Sequence, residues 1–247
     1  MALLADLHNH SCLSPCGSLE LSPSRMLQLA SARNLQVMAI TDHNSSLNCP
    51  AFAKLCPQFG IVPIFGMEAT TSEEIHVLCL FTSLEASLTF SEYAYSILPP
   101  FLNNSEKTGD QIYVDQDDYI LGEVEYYLVN SLDLSIESIG EKTAEYGGLT
   151  IPAHVDRAAF SMSSQLGVIA NGPWAALECV HIPPFTNNLP LDTLGFPLIT
   201  SSDAHYPEHI VRRPFSLDIS RDELQPNGPG TEADLEALKR ALGRRHK

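Results

Sequence analysis

Short apolar runs alternate with helical patterns along most of the sequence. The run at 2–8 (ALLADLH) is followed by a helical pattern at 22–34 and by a second run at 35–43 (LQVMAITDH). Similar runs, each bounded by Gly, Pro or polar residues, lie at 60–68, 74–81, 147–155, 175–182 and 196–205. This order predicts an α/β fold, and the seven strand candidates favour a closed or nearly closed barrel over an open sheet. In both arrangements ligands bind at the C-terminal ends of the strands.

Helical patterns separate the apolar runs. Ser22 followed by Pro23 marks the start of the first helix, because the serine hydroxyl can cap a free amide and proline has no amide to leave unsatisfied. Further helices are predicted near 118–130 and 135–146, and a terminal helix follows the Pro/Gly/Asn stretch at 225–232. The end of that last helix is basic, which suits a helix C-terminus.

The length of 247 residues suits a single domain, and we expect one domain over 1–247. Apolar residues make up 44% and charged residues 18%, which is the balance of a globular protein with an ample core. The segment 103–130 begins with a polar, acidic stretch and is predicted to be a surface excursion. This excursion either covers the binding site and selects substrates or is simply solvated.

The charge of the chain argues against polyanionic partners. With 14 Lys+Arg and 30 Asp+Glu the net charge is −16, so binding to duplex nucleic acid is not expected. The N-terminus has no basic region before Asp6, and no stretch is typical of a transmembrane helix. We therefore expect a cytoplasmic protein without a membrane partner, in which the six cysteines are thiols. The oligomeric state is left open.

Two pairs of cysteines lie close together in the sequence, Cys12 with Cys16 and Cys49 with Cys56. Neither pair has the short CxxC spacing that is typical of structural zinc sites. A structural zinc site is therefore not predicted at these pairs.

Seven of the nine histidines lie at or within the predicted strands, mostly at their C-terminal ends, and six of them are candidate ligands. His8 and His10 in DLHNH are two residues apart, so a strand would turn both imidazoles to one face. Asp203 and His205 in SDAH have the same spacing. The predicted metal ligands are His8, His10, His43, Glu68, His76, His154, Asp203 and His205.

Six imidazoles packed together without a metal would carry a large desolvation cost, whereas neutral imidazoles and carboxylates are good ligands for zinc, manganese or iron. The number of ligands suffices for two ions, and for a third if a carboxylate bridges. We therefore predict two or three divalent ions. Of the remaining histidines, His181 and His209 are interpreted as structural and His246 as part of the terminus.

The motifs that carry these residues resemble those of the PHP (polymerase and histidinol phosphatase) family. They are DLHNHS, ITDHNS, FGMEATTSEEIHV, PAHVDR and SSDAHY, and they span the chain from Asp6 to Tyr206. The resemblance implies a distorted (β/α)7 barrel with a di- or trinuclear metal centre at the C-terminal ends of the strands, and hydrolysis of phosphate esters. By position it assigns the metal-binding role to the same residues, with Glu68 as the bridging acid. Asp6 and Asp42 flank ligand histidines and are expected to orient them.

One position departs from the family pattern. After the first HxH motif the family usually has Asp or His, often in SDG, whereas this chain has SPCG. Either Cys16 or no residue fills this position, because a cysteine can bind zinc as a thiolate or can be a buried structural thiol. Whether a third ion binds is therefore left open.

Two kinds of residue are candidates for direct roles in the reaction. Arg157, three residues after His154, is the candidate to bind the substrate phosphate, and the alternative is an ordinary surface ion pair. Arg212 and Arg213 are weaker candidates for the same role. His205 is predicted to act in catalysis as well as in metal binding, because it is placed to influence protonation of the leaving group.

The resemblance predicts an enzyme, a hydrolase acting on phosphoric ester bonds. The expected substrate is a small phosphomonoester, such as a nucleotide phosphate or the end of a short oligonucleotide, because similar free-standing PHP proteins with PAHVDR look like nucleotide phosphatases and exonucleases. A histidinol-phosphate-type phosphatase is the alternative within this class. The alternative from another class is a noncatalytic metal-binding PHP-like regulatory module.

Overall fold

The computed structural model describes residues 2–244. The strands within them are β1 (Leu3–Asp6), β2 (Val37–His43), β3 (Val62–Thr70), β4 (His76–Phe81), β5 (Ile112–Val114), β6 (Ile120–Glu123), β7 (Leu149–Pro152), β8 (Leu177–Glu178), β9 (Phe185–Thr186), β10 (Leu189–Pro190), β11 (Leu198–Ile199) and β12 (Phe215–Leu217). The helices are α1 (Pro23–Ala32), α2 (Cys49–Phe59), α3 (Leu84–Ser96), α4 (Ser105–Thr108), α5 (Ile136–Glu145), α6 (Met162–Gln165), α7 (Arg221–Leu224) and α8 (Leu235–Leu242), with a short 3-10 helix at Pro207–His209.

Six strands form one sheet in the order β12-β1-β2-β3-β4-β7. The strands β1, β2 and β3 run parallel, whereas β4 is antiparallel to β3 and β7, and β12 is antiparallel to β1. A separate parallel pair consists of β8 and β11, and single parallel bridges join Thr150 to Trp174 and Asn9 to Ala204. The result is a curled half-barrel sheet with helices packed against it, which confirms the predicted α/β class. Closure into a seven-stranded barrel stays a prediction.

The long strands are buried on both faces, which explains why they appear in the sequence as continuous apolar runs. Alternate residues of β2, such as Val37 and Ala39, pack with α8 in one apolar cluster. Met38 and Ile40 point the other way and pack with α1 and α2. A third cluster joins β3 and β4 to α3 and α5. The strands are therefore packed on both faces, and this packing fixes the positions of the polar residues at their ends.

Local signals begin and end the helices. Helix α1 begins as predicted, because the Ser22 hydroxyl accepts a hydrogen bond from the backbone amide of Arg25 at 3.3 Å and Pro23 is the first helical residue. Helix α2 ends at Phe59 and is capped by Gly60, whose φ of 64° lies in the left-handed region that favours glycine. The helices predicted at 135–146 and at the end of the chain are present as α5 and α8. No helix in residues 2–244 is long and apolar enough to cross a membrane.

The helix predicted near 118–130 is wrong. This segment contains β6, which pairs with β5 in a hairpin and is followed by turns. The Asp115 carboxylate accepts a hydrogen bond from the backbone amide of Asp117 at 2.9 Å, which favours a turn between the two strands. Gly122 lies against the ring of Tyr113, where a Cβ would be 2.4 Å from the phenol oxygen. Turn chemistry and this close approach therefore favour a hairpin, whatever the spacing of the apolar residues.

The run at 74–81 forms β4, which is antiparallel to both neighbours, although continuous apolar runs are typical of parallel strands. His76 is therefore the first residue of its strand and pairs with Thr70 at the end of β3. The run at 175–182 contributes only the two-residue strand β8, and His181 lies beyond it. A buried apolar run fixes the existence of a strand but neither its direction nor its length.

Candidate metal centre

Glu68 in β3 is surrounded by the ring nitrogens of five histidines, and all six side chains are buried. The distances from its carboxylate oxygens to these nitrogens are 2.8 Å for His76, 3.1 Å for His154, 3.2 Å for His8 and 3.3 Å for both His10 and His43. One carboxylate is thus the common neighbour of five imidazoles.

Strand register brings these side chains together. His43, the last residue of β2, lies opposite Glu68 in the parallel pair of β2 and β3. Strand β4 starts at the same edge of the sheet, so its first residue, His76, also reaches Glu68. The three remaining histidines follow the ends of β1 and β7, and they are His8, His10 and His154.

Asp203 approaches the same cluster from the segment after β11. Its Oδ1 lies 3.5 Å from Nε2 of both His8 and His10, and 3.4 Å from Nδ1 of His205. The ring centroids of His10 and His205 are 4.2 Å apart. All eight predicted ligands therefore lie in one cluster, and that they bind metal stays a prediction.

The spacing of the donor atoms fits a divalent ion. Two ligands that each lie about 2.0–2.2 Å from one ion are about 2.8–3.6 Å from each other in octahedral or tetrahedral geometry. The nitrogen–oxygen distances in this cluster range from 2.8 to 3.5 Å. The donor set, imidazoles with carboxylates, is also the one that zinc, manganese and iron prefer.

Three overlapping groups of side chains could each hold an ion. Within a group, one ligand atom of every residue lies within 4.8 Å of the others. The groups are His10–Cys16–His43–His205, His8–His10–Asp203 and His43–Glu68–His76.

Several buried ring nitrogens in the cluster have no hydrogen-bond partner, and they are His43 Nδ1, His76 Nε2 and His154 Nδ1. Although His43 Nδ1 lies 3.3 Å from Glu68, it lacks the alignment of a hydrogen bond. A buried nitrogen without a partner costs about 1–3 kcal/mol, and coordination of an ion would offset that cost.

The histidines of the cluster differ in protonation. Burial lowers the pKa of His10, but hydrogen bonds to Asp203 and Glu68 outweigh it and raise this pKa to about 9. Burial and the charge of His10 lower the pKa of His205 to about 4. Burial raises the pKa of Glu68, yet the surrounding imidazoles hold it well below its usual range. The cluster therefore contains an ionised carboxylate among charged and neutral imidazoles.

Glu178 in β8 is a site residue that the sequence analysis missed. Its Oε2 lies 2.8 Å from His8 Nδ1, and both side chains are buried. Burial lowers the pKa of His8, but the charges of Glu178, Glu68 and Asp203 raise it well above its ordinary value. The signal in the sequence is an acid inside an apolar run, AALECVHI, because a buried carboxylate requires a partner.

Asp6 and Asp42 act on the site through serines. The Asp42 carboxylate accepts a hydrogen bond from the Ser14 hydroxyl at 2.7 Å, and that hydroxyl lies 2.9 Å from His10 Nδ1. The Asp6 carboxylate accepts hydrogen bonds from the backbone amide of Ser202, at 2.9 Å, and from its hydroxyl. Asp42 thus orients His10 through Ser14, and Asp6 holds the segment that carries the last motif.

The arginines near the cluster fall into two kinds. Arg157 donates from Nη1 to Asp203 Oδ2 at 2.7 Å, and its side chain is 43% exposed. Arg212 and Arg213 donate instead to backbone carbonyls of residues 201–203. Arg212 and Arg213 therefore hold the backbone at the site, whereas Arg157 binds the candidate ligand Asp203 and is partly exposed to solvent.

Two of the candidate ligands have a backbone conformation that L residues rarely adopt. The φ angle is 32° at His154 and 47° at Asp203. Such conformations cost on the order of 1–3 kcal/mol each, and they occur preferentially at functional sites. This strain is a second, independent sign of function at the cluster.

The excursion at 103–130 is tied to the loops of the site. Asn44, the residue after His43, donates hydrogen bonds to the backbone carbonyls of Leu128 and Asn130, at 2.7 and 2.8 Å. These contacts place the end of the excursion beside the strand end that carries His43, and its role in substrate selection stays a prediction.

The remaining histidines lie away from the cluster. His181 was interpreted as structural, but its side chain is 78% exposed. His209 packs edge-on against Tyr206, with ring centroids 5.3 Å apart. His246 lies outside the described residues. All six cysteines are free, and in residues 2–244 only Cys16 belongs to a group of potential metal ligands.

Known proteins share the fold of this chain. It is similar to the lesion-specific endonuclease Q from Pyrococcus furiosus, with 18% identity and a TM-score of 0.55 over 84% of this chain and 49% of that chain. It is also similar to endonuclease Q in complex with a 27-mer duplex that has an abasic lesion, with 18% identity and a TM-score of 0.52 over 84% and 50% of the two chains. The chain thus spans about half the length of these structures.

A protein of similar length is a proposed metal-dependent phosphoesterase from Bifidobacterium adolescentis, with 16% identity and a TM-score of 0.53 over 98% of this chain and 96% of that chain. At such identities the similarity concerns the fold alone. No curated protein matches the sequence significantly. The sequence profile of the PHP domain matches residues 6–148, which is more than half of the chain. The chain belongs to the PHP domain family.

Proposed function

We propose that this protein is a metal-dependent hydrolase of phosphoric ester bonds. The observation that carries the proposal is the arrangement of five histidines around Glu68, with Asp203 and His205 beside them. This donor set suits divalent ions, and membership of the PHP family supports a phosphoester as the bond that is cleaved.

The eight clustered side chains would hold two or three ions. Glu68 has two carboxylate oxygens with which to bridge two ions, whereas a neutral imidazole binds one ion, so His10 and His43, which each belong to two groups, would each join one of them. Imidazole and carboxylate ligands suit zinc, manganese or iron. When bound, such ions neutralise the charge of the phosphate and lower the pKa of water to give a nucleophile.

The exposed side of the cluster suggests where a phosphate enters. The side chains of His8 and His10 are fully buried, whereas His205 is 23% and Arg157 is 43% exposed. A guanidinium has five N–H donors, so Arg157 can keep its bond to Asp203 and still bind nonbridging phosphate oxygens. His205, at the same side, would assist protonation of the leaving group.

The substrate class that we propose is a small phosphomonoester, either a nucleotide phosphate or the end of a short oligonucleotide. The limited exposure of the cluster and the net charge of −16 both favour a substrate that presents one terminal phosphate. Phe160, which is 40% exposed and stacks on His76 with ring centroids 4.8 Å apart, offers an aromatic surface for a base. Endonuclease Q, seen with duplex DNA, is the precedent for a larger substrate.

A substrate panel distinguishes these possibilities. The manganese-loaded protein is assayed with nucleoside monophosphates, histidinol phosphate, a short oligonucleotide with a terminal phosphate, and a duplex that contains an abasic site. We expect kcat/KM for the nucleotides or the oligonucleotide end to exceed the other values by at least about tenfold, which is about 1.4 kcal/mol. A preference for histidinol phosphate or for the abasic duplex would overturn the proposed substrate class. An oxygen-18 water experiment would then identify the bond that is cleaved.

A further inference from the structure

The loop at 11–18, which carries the cysteine that departs from the family pattern, is fixed to the backbone of two candidate metal ligands. The Ser14 hydroxyl accepts a hydrogen bond from the backbone amide of His43 at 3.1 Å. The backbone amide of Ser18 donates to the carbonyl of His205 at 2.8 Å. The residues between these two contacts are therefore held between the end of β2, which carries His43, and the segment after β11, which carries His205.

A third contact holds the same loop from the side of the excursion. Gly109 lies against the carbonyl of Pro15, where a Cβ at position 109 would be only 2.1 Å from the oxygen. Its φ of 95° also requires a glycine. The residue after Pro15 is Cys16, so the excursion helps to fix its position.

The thiol of Cys16 faces a set of imidazoles. Its Sγ and one ring nitrogen each of His10, His43 and His205 all lie within 4.8 Å of one another. His10 and His43 are buried, and His43 Nδ1 has no hydrogen-bond partner. Cys16 itself is exposed, unlike the other five cysteines. Three imidazoles and one thiol make a complete set of four donors for a tetrahedral ion.

We propose that Cys16, as a thiolate, binds a third divalent ion together with His10, His43 and His205. The inference rests on the metal centre of the proposed function and names the ligand at the position where the family pattern is broken. A thiolate selects zinc or iron(II) over manganese and magnesium, which prefer oxygen ligands. This third ion is therefore of the zinc class, whereas the ions at Glu68 have only nitrogen and oxygen donors and accept manganese as well.

Cobalt(II) in place of the native ions tests this assignment, because a cobalt–thiolate bond gives a charge-transfer band in the near ultraviolet that nitrogen and oxygen ligands do not give. The measurement compares the wild type with Cys16→Ser and Cys16→Asp. The matched control is Cys12→Ser, which changes a buried thiol of the same loop that lies against the carbonyl of Ile112 and outside the donor set. Bound cobalt is counted in each protein by elemental analysis.

We expect the band in the wild type and in Cys12→Ser, and its loss in both Cys16 variants. Cys16→Ser should lose about one equivalent of cobalt, whereas Cys16→Asp, with an oxygen donor, should keep it without the band. Bound metal should also protect the wild-type thiol from alkylation, which reports on Cys16 because the other cysteines are buried.

The outcomes separate this inference from the proposed function. Cobalt binding without the band in the wild type, or a band that persists in the Cys16 variants, would overturn the assignment of Cys16 and leave the centre at Glu68 intact. A wild type that binds no cobalt at all would overturn both.

Discussion

The Nδ1 atom of His8 lies 2.8 Å from Oε2 of Glu178, and both side chains are buried. An ionised carboxylate only accepts hydrogen bonds, so Nδ1 carries a hydrogen, and in the neutral ring that binds an ion the lone pair is on Nε2. That second nitrogen faces Glu68 and Asp203. Glu178 therefore fixes the tautomer and the ring orientation that a metal-binding His8 requires.

Removing this carboxylate should weaken metal binding without removing a ligand. We expect Glu178→Ala to lower the affinity for the ions about 10–100-fold, and Glu178→Gln to have a smaller effect because its amide oxygen can still accept the hydrogen bond. Competition with a fluorescent chelator measures the affinities. Glu141→Gln, an exposed change on α5, is the control. Equal affinities in all of these proteins would mean that Glu178 does not orient His8.

Metal affinity should rise with pH, because the pKa values of His8 and His10 are both raised in the metal-free protein, and the pKa of His10 sets the pH range to test. The pKa of His10 is raised from 6.5 to about 9, so the protonated ring stabilises the metal-free fold fully below pH 6.5, and that contribution is lost as the pH rises through about 9. An ion binds only the neutral ring and must displace this proton. Between these pH values we expect the affinity to rise up to about tenfold per pH unit for each proton displaced.

Calorimetric titrations in buffers of different ionisation enthalpy measure both the affinity and the number of protons released. Binding that releases no proton and keeps one affinity from pH 6.5 to 9 would contradict the account of His10.

Arg157 should contribute to phosphate binding beyond its contact with Asp203. A charge-assisted hydrogen bond is worth about 1.5–3 kcal/mol, so we expect Arg157→Ala to lower kcat/KM by about 10–100-fold, mainly through KM. Arg157→Lys should keep part of the activity, because it keeps the charge but loses the planar fork. Arg25→Ala, on the exposed face of α1, is the control.

Metal content is measured in the same Arg157 variants. A loss of ions would mean that the substitution acts indirectly, by disturbing the candidate ligand Asp203. Unchanged KM and kcat with full metal content would mean that Arg157 forms only an ion pair with Asp203.

Most members of the cluster could be predicted because the sequence places them at strand ends. His8 and His10 share a face through the alternation of an extended chain, and His43 ends an apolar run next to the strand of Glu68. The end of a buried strand is visible in the sequence as the change from apolar to polar residues. The candidate site was therefore visible before the order of the strands was known.

The partners of those residues could not be predicted, because they depend on tertiary contacts. Glu178 is 170 residues from His8 along the chain and lies inside an apolar run that predicts only a strand. The antiparallel direction of β4 brings His76 to Glu68, and this direction cannot be read from a continuous apolar run. The helix predicted near 118–130 was wrong for a local reason and not a tertiary one. The turn at Asp115 favours a hairpin, although the spacing of the apolar residues suits a helix.

Metal-dependent turnover of an aryl phosphate tests the central claim most directly. The purified protein is assayed with Mn²⁺ before chelation, after chelation and after the metal is restored, beside Glu68→Ala and the control Glu141→Gln. The account predicts hydrolysis that is lost on chelation, returns with the metal, is absent from Glu68→Ala and is unchanged in the control, because the carboxylate shared by five histidines is removed in only one of the variants. A wild type that binds its ions yet hydrolyses no phosphoester would contradict the account and favour a noncatalytic metal-binding module.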